Sequence, residues 1–205
     1  MKIININTWN RKEHFEHFSS LKDPSFAVTI PFNVSHAYQV SKANNSSFFT
    51  RYLHDCMRAI NQIENFRYRI LGNEVVEYDV IHTSPTILKD DNTFGFSFVK
   101  YSDDLEVFSN NLETEKKRVK QSKTLFPPIN GLDCIHCSAL PWINFIAHKE
   151  PNSGQIDSVP KLSFGKATSI NNELIMNVSV HVNHALIDGY HVGLFSKKFQ
   201  QFLNQ

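Results

Sequence analysis

Residues 178–195, VSVHVNHALIDGYHVGLF, change from a strand pattern to a helix pattern within a few positions. Valines alternate with polar residues at the start of this segment, which is the period of a strand with one buried face. Apolar residues then recur at helical spacing from Val192 onward, and Gly189 permits a sharp turn between the two elements. The chain must therefore fold so that a strand ends directly against its C-terminal helix, with His184 and Asp188 in the turn.

His184 continues the period of two and falls on the same face as the valines of the strand. An imidazole with apolar neighbours is partly desolvated, which favours its neutral form. Because a neutral imidazole can accept a proton from an alcohol, His184 is a candidate general base. Asp188 lies four residues further on, where it could fix the local geometry or offset a developing imidazolium charge.

The same spacing also fits a purely structural role. Asp188 stands where an N-cap belongs for a helix over residues 190–203, and aspartate is a favoured cap. His184 could be a core histidine with both ring nitrogens hydrogen-bonded. His181 and His191 occupy ordinary positions, on the polar side of the strand and in the first helical turn. Spacing alone leaves both alternatives open.

The charge balance of the chain gives no sign of a charged macromolecular partner. Lysine and arginine total 21 residues, aspartate and glutamate total 20, and 41% of the 205 residues are apolar. Such a balance carries no electrostatic footprint for nucleic acid or an anionic membrane. No apolar run is long enough to span a bilayer, and the N-terminus lacks the apolar region of a secretory signal. We therefore expect a cytoplasmic protein with a single domain over residues 1–205.

The three cysteines favour reduced thiols over a disulfide scaffold, because their number is odd and the chain is long. Cys134 and Cys137 form a CxxC motif. This motif lies in an alternating, strand-like run with no second CxxC beside it, so a zinc or redox site is the weaker interpretation. We predict no metal site.

Helical and strand patterns are mixed along the chain without strict alternation. A short helix follows Trp9, a longer one covers residues 49–63, and Ser102 is the predicted N-cap of a third. Strands are predicted near residues 66–71, 75–80, 86–88, 94–101, 135–140, 161–169 and 173–183. The pattern predicts a mixed α/β domain built in two layers.

Five segments, in the same order, resemble the chloramphenicol acetyltransferase family. HVNHALIDGYHVGLF at 181–195 resembles its His-x-x-x-Asp-Gly signature followed by Phe/Tyr-His-Val, and TWNRKEHFEHF at 8–18 resembles its N-terminal segment. FRYRI at 66–70, TLFP at 124–127 and SALPWINF at 138–145 complete the set. Dihydrolipoyl acyltransferase and condensation domains share the His-x-x-x-Asp-Gly core, but the N-terminal segment and SALPW narrow the choice.

The resemblance implies a fold and a reaction. The fold is a mixed sheet flanked by helices, and the active site lies between the subunits of a homotrimer. The reaction transfers the acetyl group of acetyl-CoA to a hydroxyl of chloramphenicol, a small molecule, by direct attack in a ternary complex. It implies a role in antibiotic resistance.

The resemblance also implies roles for four catalytic residues. His184 is the general base, and Ser138 donates a hydrogen bond to the tetrahedral oxyanion. Arg11 forms an ion pair with Asp188 that braces the turn. Without the resemblance, Ser138 would be an ordinary strand serine and Arg11 a surface arginine.

The remaining implied residues bind the two substrates. Ser163 matches a threonine that holds a water near the oxyanion, and Trp142 and Lys166 match positions along the coenzyme A channel. Without the resemblance, Trp142 would be a packed aromatic and Lys166 a solvated lysine. Aromatic side chains at the positions of the acceptor pocket suit a nitrophenyl group; they are Phe18, Phe26 and Phe94.

The chain departs from the family pattern near the acceptor. Asn183 replaces a second histidine beside the base, Lys22, Asp23 and Pro24 replace smaller or apolar residues, and the segment 146–160 replaces a more apolar stretch. Two alternatives therefore remain: a related coenzyme A-dependent acyltransferase with another hydroxyl or thiol acceptor, and a catalytically silent trimeric binding protein. The second is the weaker, because all four implied catalytic residues are present.

Overall fold

The computed structural model of the chain describes residues 1–151 and 157–205, and within these residues helices and strands alternate irregularly. The helices are α1 (Lys12–Ser19), α2 (Ser35–Ala43), α3 (Phe48–Asn61), α4 (Glu64–Arg67), α5 (Leu105–Gln121) and α6 (Gly189–Leu203), with a short 3₁₀ helix at Ile6–Thr8. The strands are β1 (Lys2–Ile3), β2 (Ser25–Asn33), β3 (Tyr68–Leu71), β4 (Glu74–Glu77), β5 (His82–Leu88), β6 (Phe94–Phe96), β7 (Cys134–Leu140), β8 (Lys161–Gly165), β9 (Thr168–Ile170) and β10 (Glu173–Asn183).

The larger of two sheets is mixed and has the order β2-β10-β8-β7-β5-β6. Its central strand β7 pairs parallel with β5 and with β8, whereas the remaining pairs are antiparallel. β9 adds to β10, and β1, β4 and β3 form a separate small sheet. The predicted mixed α/β class is therefore confirmed.

One face of the large sheet packs against helices. Val178, Val180 and Val182 of β10 are buried in the main apolar core, together with the apolar stripes of α3 and α6. The intervening residues of β10 lie on the opposite face because successive strand side chains alternate. The alternating valines that predicted a half-buried strand therefore form the face of β10 that packs against the helices.

A row of hydroxyl side chains crosses the opposite face. Ser179 of β10 pairs in register with Ser163 of β8, and Ser163 pairs with Ser138 of β7. Register partners present their side chains on the same face of a sheet. This row places the predicted residues Ser138 and Ser163 side by side on neighbouring strands.

The strand β2 was absent from the sequence-based prediction. It pairs with β10 along its whole length, from Asn33 opposite Ile175 to Ser25 opposite Asn183. Phe26, Val28, Ile30 and Phe32 alternate as a strand requires, but Pro31 interrupts the pattern. The proline is tolerated because β2 is at the edge of the sheet, where one side of the strand needs no ladder partner.

The N-cap predicted for α5 was wrong. Asp104, not Ser102, is the cap: its carboxylate accepts a hydrogen bond of 3.0 Å from the amide of Val107. The Ser102 hydroxyl instead accepts from the Asp104 amide at 3.2 Å, so it supports the residue that caps the helix. Ser102 and Asp104 are both residues of a type that can cap a helix, and the prediction chose the one that lies two residues before the true cap.

Other predicted boundaries also changed. The strand predicted over 94–101 is limited to β6, the one predicted over 161–169 divides into β8 and β9, and α2 was not predicted. The arginine of the FRYRI segment, Arg69, is fully buried and donates to four backbone carbonyls, among them Cys134 at 2.6 Å. In residues 1–151 and 157–205, we find no helix with the length and apolar character that a bilayer span requires.

Candidate active site

Asn183, the last residue of β10, organises the turn that follows it. Its side-chain oxygen accepts from the amide of Ala185 at 2.9 Å, and its carbonyl accepts from the amides of Leu186 and Ile187. Its side-chain nitrogen donates to the carbonyl of Asp157 at 3.0 Å. An asparagine in place of the family's second histidine therefore has a clear local function, which the sequence did not reveal.

The His184 ring is held between two aromatic side chains. It stacks on Phe18 with ring centroids 3.9 Å apart and planes 7° from parallel, and it contacts Phe26 at 4.6 Å. The His184 amide donates to the carbonyl of Pro24 at 2.8 Å, which ties the turn to the start of β2. Both aromatic residues were predicted for the acceptor pocket, and both contact the candidate base.

The two nitrogens of His184 are not equivalent. Nδ1 is buried and has no hydrogen-bond partner within residues 1–151 and 157–205. A core histidine with a purely structural role would have both nitrogens satisfied. Among these residues, one nitrogen of His184 thus lacks the partner that the structural alternative predicts.

Asp188 serves as a helix cap and as an ion-pair partner at once. Its Oδ1 atom accepts from the amide of Tyr190 at 3.0 Å, as an N-cap of α6 should. Its Oδ2 atom accepts from Nη1 of Arg11 at 2.6 Å, and Nη2 of Arg11 reaches the carbonyl of His184 at 3.4 Å. The sequence presented these two roles as alternatives, but the two carboxylate oxygens divide them.

The charges around Asp188 shift its proton affinity. Burial acts to raise the pKa of Asp188, but the hydrogen bond from Arg11 and nearby positive charge bring it below its ordinary value. Burial lowers the pKa of His191, against the opposing charge of Asp188. The neutral His191 ring can then accept the Asp188 amide through Nδ1, at 3.2 Å, which completes a capping box.

Ser138 lies in a different part of the chain, in a cavity of about 510 Å³ on the face opposite the helices. Phe94 and Trp142 line the same cavity, so three of the predicted site residues meet there. Trp142 follows the end of β7 and is 67% exposed. This group contains an oxyanion donor candidate and an aromatic wall, but not the candidate base.

The neighbour of Ser138 on β8, Ser163, has its hydroxyl engaged by a residue that the sequence did not single out. Ser163 is 1% exposed, and its Oγ donates to Oε1 of Glu150 at 2.6 Å. Nδ1 of His148 lies 3.6 Å from the same oxygen. Both residues belong to the divergent segment 146–160, of which residues 152–156 lie outside the described part of the chain.

Lys166 borders a second cavity, of about 400 Å³, lined by aromatic and aliphatic residues. Phe48, Phe49 and Tyr52 of α3 contribute to its wall. The preceding residue, Gly165, allows the chain to pass closely, because a Cβ atom there would come within 3.1 Å of the Asn177 carbonyl oxygen and 3.3 Å of that of Ile143. Lysine and aromatic faces together suit a phosphate beside a flat ring.

A single chain does not bring His184 and Ser138 together. Ser138 is two strands away from Ser179, and His184 follows Ser179 by five residues. From the spacing between strands and the rise per residue, Ser138 and His184 are about 10 Å apart across the sheet and about 16 Å apart along the strands. The two residues also belong to opposite faces, because His184 continues the valine side of β10.

The CxxC cysteines are buried and unbridged. Burial is the main cause that raises the pKa values of Cys134 and Cys137 to about 12 each, so both are thiols at neutral pH. Three residues apart on a strand, they point to opposite faces. Among the described residues, no three or more His, Cys, Asp or Glu side chains are grouped to hold a metal ion.

Sequence comparison identifies relatives over nearly the whole chain. The family model for chloramphenicol acetyltransferase matches residues 1–200. A chloramphenicol acetyltransferase of Escherichia coli is 26% identical over 205 residues, which cover 98% of this chain and 93% of that protein. Chloramphenicol acetyltransferase 2 of Haemophilus influenzae is 28% identical over 204 residues, which cover 96% and 94% of the two chains.

Structural comparison agrees with the sequence match. A solved structure of a chloramphenicol acetyltransferase has a TM-score of 0.88 and 29% identity to this chain, and the match covers 98% of this chain and 99% of the other. The predicted sheet flanked by helices is thereby confirmed. With its turn motif, its fold and its near full-length match in agreement, this chain belongs to the chloramphenicol acetyltransferase family and is an acyltransferase.

Proposed function

We propose that this protein transfers the acetyl group of acetyl-CoA to a hydroxyl of chloramphenicol, and that this reaction gives resistance to the antibiotic. The observation that carries the proposal is the placement of His184 between two aromatic rings, on a turn tied down by Arg11 and Asp188. An imidazole can accept a proton from an alcohol as a general base. The family match supports acetyl transfer as its use.

The chemical step follows from the two ring nitrogens. Because Nδ1 of His184 is buried, Nε2 is the atom that takes the hydroxyl proton. The acceptor oxygen then attacks the thioester carbonyl carbon directly, in a ternary complex. The tetrahedral intermediate carries a negative oxygen, to which Ser138 donates a hydrogen bond. Collapse breaks the carbon–sulfur bond, and the imidazolium returns its proton to the departing thiolate of coenzyme A.

A second copy of the chain completes the site. A base must lie about 2.6–3.2 Å from the proton it removes, and an oxyanion donor about 2.7–3.1 Å from the oxygen it stabilises. Since the two residues of one chain are separated by far more than this, His184 of one copy works with Ser138 of the next. We propose a homotrimer, as the family resemblance implies.

Trp142 and Lys166 are the residues that bind coenzyme A. Trp142 is exposed and lines the Ser138 cavity, and Lys166 borders the cavity that α3 lines on the helix side of the sheet. The lysine can bind a phosphate of coenzyme A as a point charge, and the aromatic side chains can pack against its adenine ring. This arrangement directs the thioester toward Ser138.

The test is an assay of thiol release from acetyl-CoA by the purified protein, with and without chloramphenicol. We expect release that depends on chloramphenicol, and mass spectrometry should identify its acetyl ester. Chloramphenicol that causes no release above the background rate would overturn the proposed acceptor. The background itself, measured without acceptor, reports hydrolysis of the thioester.

The oligomer is tested separately, by mixing two inactive variants. His184→Ala keeps Ser138, and Ser138→Ala keeps His184, so random mixed trimers should regain about a quarter of their sites if two copies share each site. If both residues act within one copy, mixing restores nothing. Sedimentation of the wild-type protein measures the number of copies independently.

A further inference from the structure

The cavity that contains Ser138 also contains a carboxylate. Glu150 lines this cavity, and its Oε1 atom accepts the hydrogen bond from Ser163 at 2.6 Å. Ser163 is the register partner of Ser138, so their Cα atoms are about 4.8 Å apart. The Glu150 side chain is 18% exposed. A negative charge is therefore fixed within a few ångströms of the proposed oxyanion donor.

The other ionic groups of this cavity do not neutralise Glu150. Nζ of Lys161 donates to Asp157 at 2.8 Å, so these two charges offset each other. Burial lowers the pKa of His136, which favours its neutral form. Within residues 1–151 and 157–205, no lysine or arginine forms an ion pair with Glu150, and Nδ1 of His148 lies 3.6 Å from its Oε1 atom. The cavity thus carries an excess of negative charge.

The rest of the cavity wall is apolar and aromatic. Phe94 and Phe96 line it and form a T-shaped pair with centroids 5.5 Å apart. Such a wall suits the ring of an aryl acceptor. A partly buried carboxylate beside it suits a hydrogen-bond donor with a positive charge, because that pairing removes the cost of an unpaired buried charge.

We propose that the preferred acceptor is an aryl amino alcohol whose protonated amine binds Glu150 while its neighbouring hydroxyl is acetylated. This inference rests on the proposed acetyl transfer and deepens it by specifying the acceptor. An amine on the carbon next to the hydroxyl-bearing carbon spans only a few ångströms, which matches the short path from Ser138 through Ser163 to Glu150. Chloramphenicol, whose nitrogen is an uncharged amide, gains no such pairing and is the poorer acceptor.

The experiment uses two acceptors that differ only at this nitrogen. They are chloramphenicol and the free amine left when its dichloroacetyl group is removed. We expect kcat/KM of the wild-type protein to be about 10- to 100-fold higher for the amine, which is the range of a charge-assisted hydrogen bond. The product must be the O-acetyl ester, identified by nuclear magnetic resonance.

Variants assign the preference to a residue. Glu150→Gln should remove the preference for the amine: kcat/KM for the amine should fall by about 10- to 100-fold relative to kcat/KM for chloramphenicol. Glu113→Gln, an exposed glutamate on α5, is the matched control and should change neither value. Circular dichroism confirms that both variants are folded.

The outcomes separate this inference from the proposed function. Equal or better turnover of chloramphenicol by the wild-type protein overturns the inference and leaves acetyl transfer intact, as does a Glu150→Gln variant that retains the preference for the amine. Absence of thiol release with either acceptor overturns the proposed function, and the inference with it. The wild-type comparison decides the matter even if Glu150→Gln does not fold.

Discussion

The turn that carries His184 and the cavity that carries Ser138 are built in different ways. In the turn, short-range hydrogen bonds, as where Asn183 holds Ala185 and Asp188 caps α6, are combined with an ion pair from Asp188 to the distant Arg11. In the cavity, Ser163 of β8 donates to Glu150 of the preceding loop. The turn is therefore held by several contacts at once, whereas this contact of the cavity depends on one loop residue.

This difference separates the chemistry from the choice of acceptor. The turn contains the candidate base, an imidazole in contact with two aromatic rings. The cavity contains the aromatic wall and the carboxylate that we propose to select the acceptor. Glu150, Pro151 and Asp157, which belong to the segment 146–160, line this cavity. We therefore expect changes in these residues to alter the acceptor and not the base.

The largest expected effect is the loss of acetyl transfer when His184, in the turn, is replaced. His184→Ala should lower the rate of acetyl transfer by about 10²–10⁴-fold, because general-base catalysis contributes that much. Binding of coenzyme A, measured by calorimetry, should persist, because the residues proposed to hold it lie elsewhere. A variant that retains a rate within about tenfold of wild type would show that His184 is not the base.

The next largest effect is the loss of turnover when Ser138, in the cavity, is replaced. Ser138→Ala should lower kcat by about 10²–10³-fold with little change in either KM, because an oxyanion donor acts mainly on the transition state. Steady-state kinetics with both substrates varied distinguish the two parameters. If KM for acetyl-CoA rises while kcat is kept, Ser138 is a ground-state contact, and the cavity binds rather than catalyses.

A smaller effect measures how much the stability of the turn depends on the ion pair between Arg11 and Asp188. The side chains of Arg11 and Asp188 are 10% and 29% exposed, so Arg11→Ala should cost about 2–3 kcal/mol of unfolding free energy, between exposed and buried pairs. Asp188→Ala should cost about 1 kcal/mol more, because the cap of α6 is lost too. Urea unfolding of the single variants and the double variant measures these values.

Non-additivity is the sharper part of this prediction. The double variant should be less destabilised than the sum of the two single variants, because each single change leaves one charge unpaired. Asp188→Asn should fall between wild type and Asp188→Ala, since asparagine retains the cap but weakens the pair. Strict additivity, with Asp188→Asn equal to wild type, would mean that the turn needs only its cap.

The smallest effect is the pH dependence of the same pair. The pKa of Asp188 is lowered in the folded state. Its contribution to stability is therefore full above the unfolded pKa of about 3.9 and is lost as the pH falls through the lower folded pKa. The difference in unfolding free energy between wild type and Asp188→Asn should shrink as the pH falls below about 4. A difference that grows there would contradict the sign of the shift.

The regions also differ in how well the sequence predicted them. The strand, the turn and the helix of 178–195 were predicted because periodicity and capping are local signals in the sequence, although β10 also pairs with the distant β2 and with β8. The edge strand β2 was missed because Pro31 broke a pattern that an edge position tolerates. The contact between Glu150 and Ser163 was not predicted. The two residues are 13 positions apart, and no pattern in the sequence indicates that this loop residue lies beside that strand.

The sequence alone predicts a histidine at the end of the apolar side of a strand and an aspartate that caps the next helix, and it contains the family motifs in order. These are short-range features, which backbone periodicity and capping chemistry express directly. The three-dimensional fold adds that Asp188 also binds Arg11, 177 residues away, and that Ser138 lies beside Ser163 on the sheet face opposite the valines of β10. Strand order and register set these distances, and both arise from packing between segments that no local pattern relates.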